Sequence, residues 1–393
     1  MTILKMQTRL HMKLSCIGIL LILDPVVAFN QQLSSSFRKK YGSDSTELSL
    51  SSSRRGGSMS RRRRGGESKS TGFAPSTDID ANEDDEYEPT TMPKQKATKT
   101  QLLNESNKND NIYSFPALYD LAFGYRSYED EVQFLLESHK RHNSIEAVTP
   151  LHILELAAGP GRHSIAALNQ EQHSIQGCTA IDISHDMASY SKELAENELF
   201  DPKAKKDLFQ YHVDDMRKLG SIQREEEYDT AWLLLGSIAH MITNDDVENC
   251  FRSTARVLKK GGTFILELAH PRETFTMVEC TKNAWTVPLE DESGADDLFG
   301  ELSILWGDDD DKFDPIRQVR DFTVSMELKE SANNRITQKM KEIVPMRLFT
   351  SQEIDALARL AGFQVVGMFG ALDEDVDINN DEEAYRLVCI LKK

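Results

Sequence analysis

Residues 153–168 read ILELAAGPGRHSIAAL: an apolar run closing on an acid, then small residues and glycines, then a second run of mixed apolar and polar residues. The first run suits a buried strand, the last an amphipathic helix, and the glycines between them suit a tight turn that lets a ligand approach the backbone. A strand, a glycine-rich loop and a helix in that order place anion-attracting main-chain amides at a helix start.

The text on either side continues the alternation. YSFPALYDLAF and EDEVQFLLESHKRH carry helical spacing; LHILELA is a strand, RHSIAALNQ a helix, CTAIDIS a strand, HDMASYSKELAENEL a helix and LFQYHVDD a strand. YDTAWLLLGS is a strand, DDVENCFRSTARVL a helix, KKGG a turn and TFILELA a strand. Strands and helices alternating at this spacing predict an α/β fold, a doubly wound and mostly parallel sheet with ligands at the carboxyl ends of its strands.

Two ligand classes use such a loop, dinucleotides and S-adenosylmethionine. The dinucleotide fingerprint needs a third glycine, where this chain has Ser164, and has no use for an acid at Glu155. Glu155-Leu-Ala-Ala-Gly-Pro-Gly, AIDIS, HVDDM and LKKGGTFILEL, in that order, resemble the class I S-adenosylmethionine-dependent methyltransferases from about Tyr119 to the C-terminus. Ala157 stands where that family usually has its first glycine.

The resemblance implies a site. Glu155 and the main chain of Ala157, Gly159 and Gly161 would flank the methionine tail and sulfonium. Asp182, 27 residues after Glu155, would accept both ribose hydroxyls. Asp215 would accept the adenine amino group with Met216 beside the ring, although Asp214 fits the same task and either acid also suits a helix cap. Met187 packs on adenine or in the core. At the end of the fourth strand, LLLGSIAHM brings Ser237 and His240 over the reactive end. His240 is the candidate base or orienter, unless it only caps the turn. Tyr119 and Arg126 close over the site from the N-terminal helix, or Tyr119 serves packing.

LFTSQEIDALARLAGFQVVGMFG and AYRLVCILKK, joined by an acidic hairpin, predict a helix and two closing strands like the antiparallel edge of the methyltransferase sheet, seven strands in all. Between residues 271 and 346, ELSILWG, QVRDFTVSMEL and RITQKMKEIVPM predict an antiparallel β lid that selects the substrate. The lid and GSIAH are similar to small-molecule methyltransferases, loosely to those acting on amino sugars. The acidic run Asp308–Asp311 reads as a solvated loop, and no metal site is expected.

Composition bounds the rest. Residues 1–72 carry 13 Lys+Arg against 4 Asp+Glu, leaving 33 basic and 60 acidic residues, a formal charge of −27, on residues 73–393. A surface of that sign repels phosphate backbones and excludes nucleic acid as the expected partner. The five cysteines form no CxxC pair and suggest reduced, buried thiols. Residues 1–28, with Lys5, Arg9 and Lys13 before a short apolar run, read as a signal-peptide core; residues 29–72 are serine- and arginine-rich and transit-peptide-like. That pair resembles the leader of nucleus-encoded plastid proteins in algae with secondary plastids. A secretory signal followed by a basic linker is the alternative. Residues 73–110 read as a polar linker and 111–393 as the catalytic domain, with no membrane partner in the mature form and an oligomeric state the text leaves open.

A small-molecule methyltransferase, a protein methyltransferase with an open groove, a catalytically silent cofactor-binding factor and a nicotinamide reductase make different demands on this site. Each predicts a different surface around Asp182 and His240.

Overall fold

A computed structural model describes residues 89–97, 102, 111–143, 150–201, 205–272, 283–291, 298–331, 335–381 and 383–393. The leader readings and most of the linker lie outside the described residues, as do Cys16 and Cys280.

The main sheet contains β3 (Leu151–Leu156), β4 (Ile175–Asp182), β5 (Phe209–Val213), β6 (Tyr228–Leu233), β7 (Leu258–Ala269), β13 (Gln364–Phe369) and β14 (Arg386–Lys392). Its order is β13-β14-β7-β6-β3-β4-β5. β3 to β7 run parallel, while β14 is antiparallel to both neighbours. The order reverses at β3, so the crevice beyond β3, β4 and β6 is the switch point at which such sheets bind ligands.

Both faces are covered, which explains the continuous apolar runs. Ile153, Trp232, Ile265 and Val388 face α2 (Tyr128–His142) and α3 (Arg162–Asn169). Their neighbours Leu154, Leu233, Phe264 and Cys389 face α5 (Asn244–Val257) and α6 (Ser351–Leu360). The period of two in each strand thus sorts side chains between two cores. Cys178, Cys250 and Cys389 are free and buried. No helix among the described residues is long and apolar enough to cross a membrane.

KKGG is not a turn. Lys259 to Gly262 continue β7, with a register shift against β6 between Tyr228 and Thr230.

A second sheet forms the lid. β8 (Asn283–Asp291), β9 (Leu298–Trp306), β11 (Val319–Glu330) and β12 (Arg335–Arg347) pair antiparallel in sequence order, and β10 (Phe313–Asp314) extends the edge of β11. β8 has no counterpart in the sequence reading. Nor do β1 (Thr90–Thr91) and β2 (Gln95–Ala97), which lie in the polar stretch read as linker and pair parallel with β8. The inner face of the lid buries Trp285, Leu302, Phe322 and Val324 against Leu118 and Ala122 of α1 (Pro116–Phe123). The acidic run before β10 is not solvated throughout: the Asp311 carboxylate turns inward and accepts from the amides of Asp308 and Thr323.

Candidate active site

The loop after β3 is held in a conformation that glycine favours. Ala157, Gly159 and Gly161 have φ of 50°, 52° and 74°. An alanine in this region costs about 1 kcal/mol, which the surrounding contacts must offset. They are specific: Ala158 N–H donates to Ile181 O, Gly161 N–H to Ala158 O, and the Tyr211 hydroxyl to Gly159 O at 2.6 Å. Gly161 faces away from the crevice toward α4 (His185–Glu198), where a Cβ would lie 2.5 Å from Ser191 Oγ.

Glu155 departs from its expected place. Its carboxylate accepts from Ser164 N and Ser164 Oγ, at 3.0 and 2.5 Å, and lies 3.4 Å from His163 Nδ1. It is 3% exposed and secures the start of α3 beneath the loop. Glu155 and Gly161 therefore shape the loop without lining the cavity above it.

Asp182 closes β4 in the crevice. One oxygen accepts from Gly159 N–H and the other from Ser184 N–H, both at 2.9 Å. Burial raises its pKa, against the lowering effect of those amides. Each oxygen has lone pairs left for a further donor.

The next two acids part ways. Asp214 accepts from Ser221 N and Oγ, both at 2.6 Å, and so caps the following turn. Asp215 is bidentate with Arg217, which holds its carboxyl below the usual range. Its carboxylate thus already has a partner. Met216 and Met187 both line the cavity; Met187 is also core, at 1% exposure.

After β6 the chain turns sharply, with Leu235 and Gly236 at positive φ, into a 3-10 turn over Ser237–His240. Glu267 on β7 fixes this turn by accepting Leu235 N–H at 2.9 Å and, through its carbonyl, Gly236 N–H. Ser237 Oγ donates to Leu234 O. The His240 ring is solvent-accessible where it opens onto the cavity, and the protein packed around it lowers its pKa. Its Nε2 lies 2.9 Å from Tyr113 Oη. Burial, then Tyr119, raises the Tyr113 phenol well above its ordinary value. The phenol therefore keeps its proton and donates it to Nε2.

Tyr119 lines the cavity between Tyr113 and Phe123, with ring centroids 5.7 and 4.8 Å away. Its Cε1 lies 3.9 Å from where a Gly159 Cβ would stand. Arg126 is buried behind this wall, with Nη2 3.1 Å from both Glu267 oxygens. It acts as a support for the turn and not as a cover over the site.

One cavity of about 980 Å³ joins these groups. Ala157, Gly159, Asp182, Asp215, Met216, Ser237 and His240 line one side; Trp285, Trp306, Phe322 and Met346 of the lid line the other. Sequence reading missed Tyr113, Glu267, Arg386 and the lid aromatics. A tyrosine before a proline-started helix and an acid inside an apolar strand were the available signals, and neither specifies a partner.

A family model described as a methyltransferase domain matches residues 153–262. A crystal structure of an S-adenosylmethionine-dependent methyltransferase from Clostridium acetobutylicum is 16% identical, covers 72% of this chain and 99% of its own, and superposes with a TM-score of 0.52. The CcbJ methyltransferase of Streptomyces caelestis is 17% identical, with 67% and 88% covered and a TM-score of 0.49. CalS10, an amino pentose methyltransferase from Micromonospora echinaspora, is 13% identical, with 73% and 99% covered and a TM-score of 0.49. No curated protein matches the chain by sequence. The match runs from the glycine loop into β7, and the sheet closes on an antiparallel edge, so residues 153–262 form a methyltransferase domain within a class I methyltransferase fold.

Proposed function

We propose that this enzyme moves a methyl group to a nitrogen or oxygen of a small molecule held between the strand ends and the lid. The observation that carries this reading is the lid itself: a second sheet with aromatic side chains walls the cavity where a protein substrate would need an open groove.

The residues present fit the cofactor. Asp182 offers two half-satisfied oxygens to a pair of ribose hydroxyls, and its burial makes such donors valuable. Met216 and Ile183 border the crevice where the adenine face would lie, while Asp215 shares its carboxylate with Arg217. The main chain at Ala157 and Gly159 lines the cavity where the amino-acid end would lie, with the Tyr119 ring beside Gly159. S-adenosylmethionine supplies a methyl on a sulfonium, already activated for displacement.

The chain then has to align the acceptor, exclude water and remove a proton. Tyr113, Tyr119 and the lid aromatics exclude water. His240 is neutral at pH 7 because its pKa is lowered. As the acceptor proton passes to Tyr113 Oη, the phenol's own proton passes to His240 Nε2.

Turnover is measured with methyl-labelled cofactor and a plastid small-molecule extract. His240→Ala should lower kcat about 100-fold and leave cofactor affinity unchanged. Asp182→Ala should weaken cofactor affinity about 100-fold. Label appearing in protein instead of small molecules would overturn the substrate class; full turnover in the His240 variant would return that residue to a capping role. The leader's basic start, apolar core and serine-arginine tract support plastid delivery, and a fluorescent protein fused behind residues 1–72 tests it. Retention in the secretory pathway would reject it.

A further inference from the structure

The acceptor half of the cavity carries a charge that methyl transfer leaves unused. Arg386 opens β14 on the cavity wall, its side chain 32% accessible and its Nε 3.4 Å from Glu267 Oε1. Glu267 holds this arginine in place but is satisfied elsewhere, by Arg126 Nη2 on both oxygens and by Leu235 N–H. The pair does not meet hydrogen-bond geometry, and Arg386 Nε has no hydrogen-bond partner. Among the described residues nothing accepts from its Nη atoms either.

The neighbouring cation is already engaged. Arg272 donates to Asp381 Oδ1 at 2.8 Å, to Asn380 O at 3.3 Å and to Ala384 O. Around Arg386 the wall is aromatic. Its guanidinium lies 5.5 Å from the Tyr385 ring centre, and its charge is felt by the Tyr125 phenol. Two residues before Tyr125, Phe123 packs edge-on against Trp285 and Trp306, with centroids 5.7 and 5.9 Å away.

We propose that Arg386 binds an anionic group of the methyl acceptor, a carboxylate or a phosphate seated on its Nη atoms, while an apolar body lies against Phe123, Trp285 and Trp306. This rests on the small-molecule reading above and narrows it. A planar guanidinium matches a two-oxygen anion with two parallel hydrogen bonds, and aromatic walls that exclude water strengthen the pair. Glu267 keeps the side chain oriented without occupying the Nη donors.

The full chain is saturated with S-adenosylhomocysteine and titrated with phenylacetate, phenyl phosphate and the neutral phenylacetamide. Binding is read from tryptophan fluorescence, since Trp285 and Trp306 line the wall and Trp232 lies in the core. At least one anion should bind about tenfold more tightly than the amide, and the tighter anion identifies the group. Arg386→Gln should reduce that preference to about twofold or less, and Arg386→Lys should keep part of it, because lysine retains the charge without the fork. Equal S-adenosylhomocysteine affinity across the three proteins reports that each is folded, and if Arg386→Gln fails this control, the wild-type and lysine arms decide. Amide binding as tight as both anions, or a preference unchanged in either variant, would overturn the proposal. S-adenosylhomocysteine failing to bind the wild type would instead overturn the methyltransferase reading.

Discussion

His163, the second residue of α3, shows how much a single buried side chain near this site can decide. It is 2% exposed, with Nε2 2.8 Å from Glu131 and Nδ1 3.4 Å from Glu155. Burial alone would lower its pKa, but hydrogen bonds to the two carboxylates raise it to about 9. The ring is therefore an imidazolium at neutral pH, tying the acid beneath the glycine loop to α2. An unfolded histidine titrates near 6.5, so this group contributes about 3 kcal/mol of stability that is fully present below pH 6.5. It is lost as pH rises through 9. Thermal melts from pH 6 to pH 10 should show this fall in the wild type and a flatter profile for His163→Gln, which should also be less stable at pH 6 by about 3 kcal/mol. Parallel profiles would show that the ring is neutral in the folded protein. Glu155 was legible as a functional acid but not as this one. Alternation along β3 turns residues 153 and 155 toward α2 and α3, and a strand's direction of facing is not written in its own letters.

At the scale of elements, long periodic runs were legible and their boundaries less so. Seven strands of the main sheet and six helices stand where apolar spacing puts them, because burial on two faces enforces the pattern. KKGG shows what periodicity cannot reveal. Read locally, two lysines and two glycines make a turn; in the fold they form a bulge that lets β7 follow β6, with Lys259 Nζ 2.8 Å from Asp229. The glycine at 262 is required by proximity: a Cβ there would stand 2.7 Å from Asp229 O, a backbone atom unable to move aside. Gly262→Val should cost about 2 kcal/mol and lower Tm by roughly 5 °C, with the cofactor site intact because the bulge lies at the opposite end of β7. An unchanged Tm would mean the two strands separate more easily than their pairing implies.

For the whole molecule, the sequence reading placed the start of order too late. Residues 89–97 are polar and carry no strand pattern, yet two short strands there pair with β8, almost two hundred residues away. Their ordering comes from contacts outside the stretch itself: Met92 and Ala97 are 8% and 4% exposed in the lid core, Met92 N–H donates to Thr286 O, and Gln95 Nε2 to Gly124 O at 3.0 Å. No local reading recovers a parallel pairing of that separation. The contact at Gly124 adjoins Phe123, which packs on Trp285 and Trp306 at the cavity wall. A chain beginning at residue 111 should therefore be less stable than one beginning at residue 89, by about 3 kcal/mol from the lost burial of Met92 and Ala97 and their strand pairing. S-adenosylhomocysteine affinity, which we propose Asp182 sets, should be the same in both, while phenylacetate should bind the shorter chain more weakly as Phe123 loses its support. Calorimetry on the two chains measures the first difference and fluorescence titration the second. Equal stability would show that these strands rest on the lid without holding it. Loss of S-adenosylhomocysteine binding along with the strands would show instead that the two halves of the cavity are not separable.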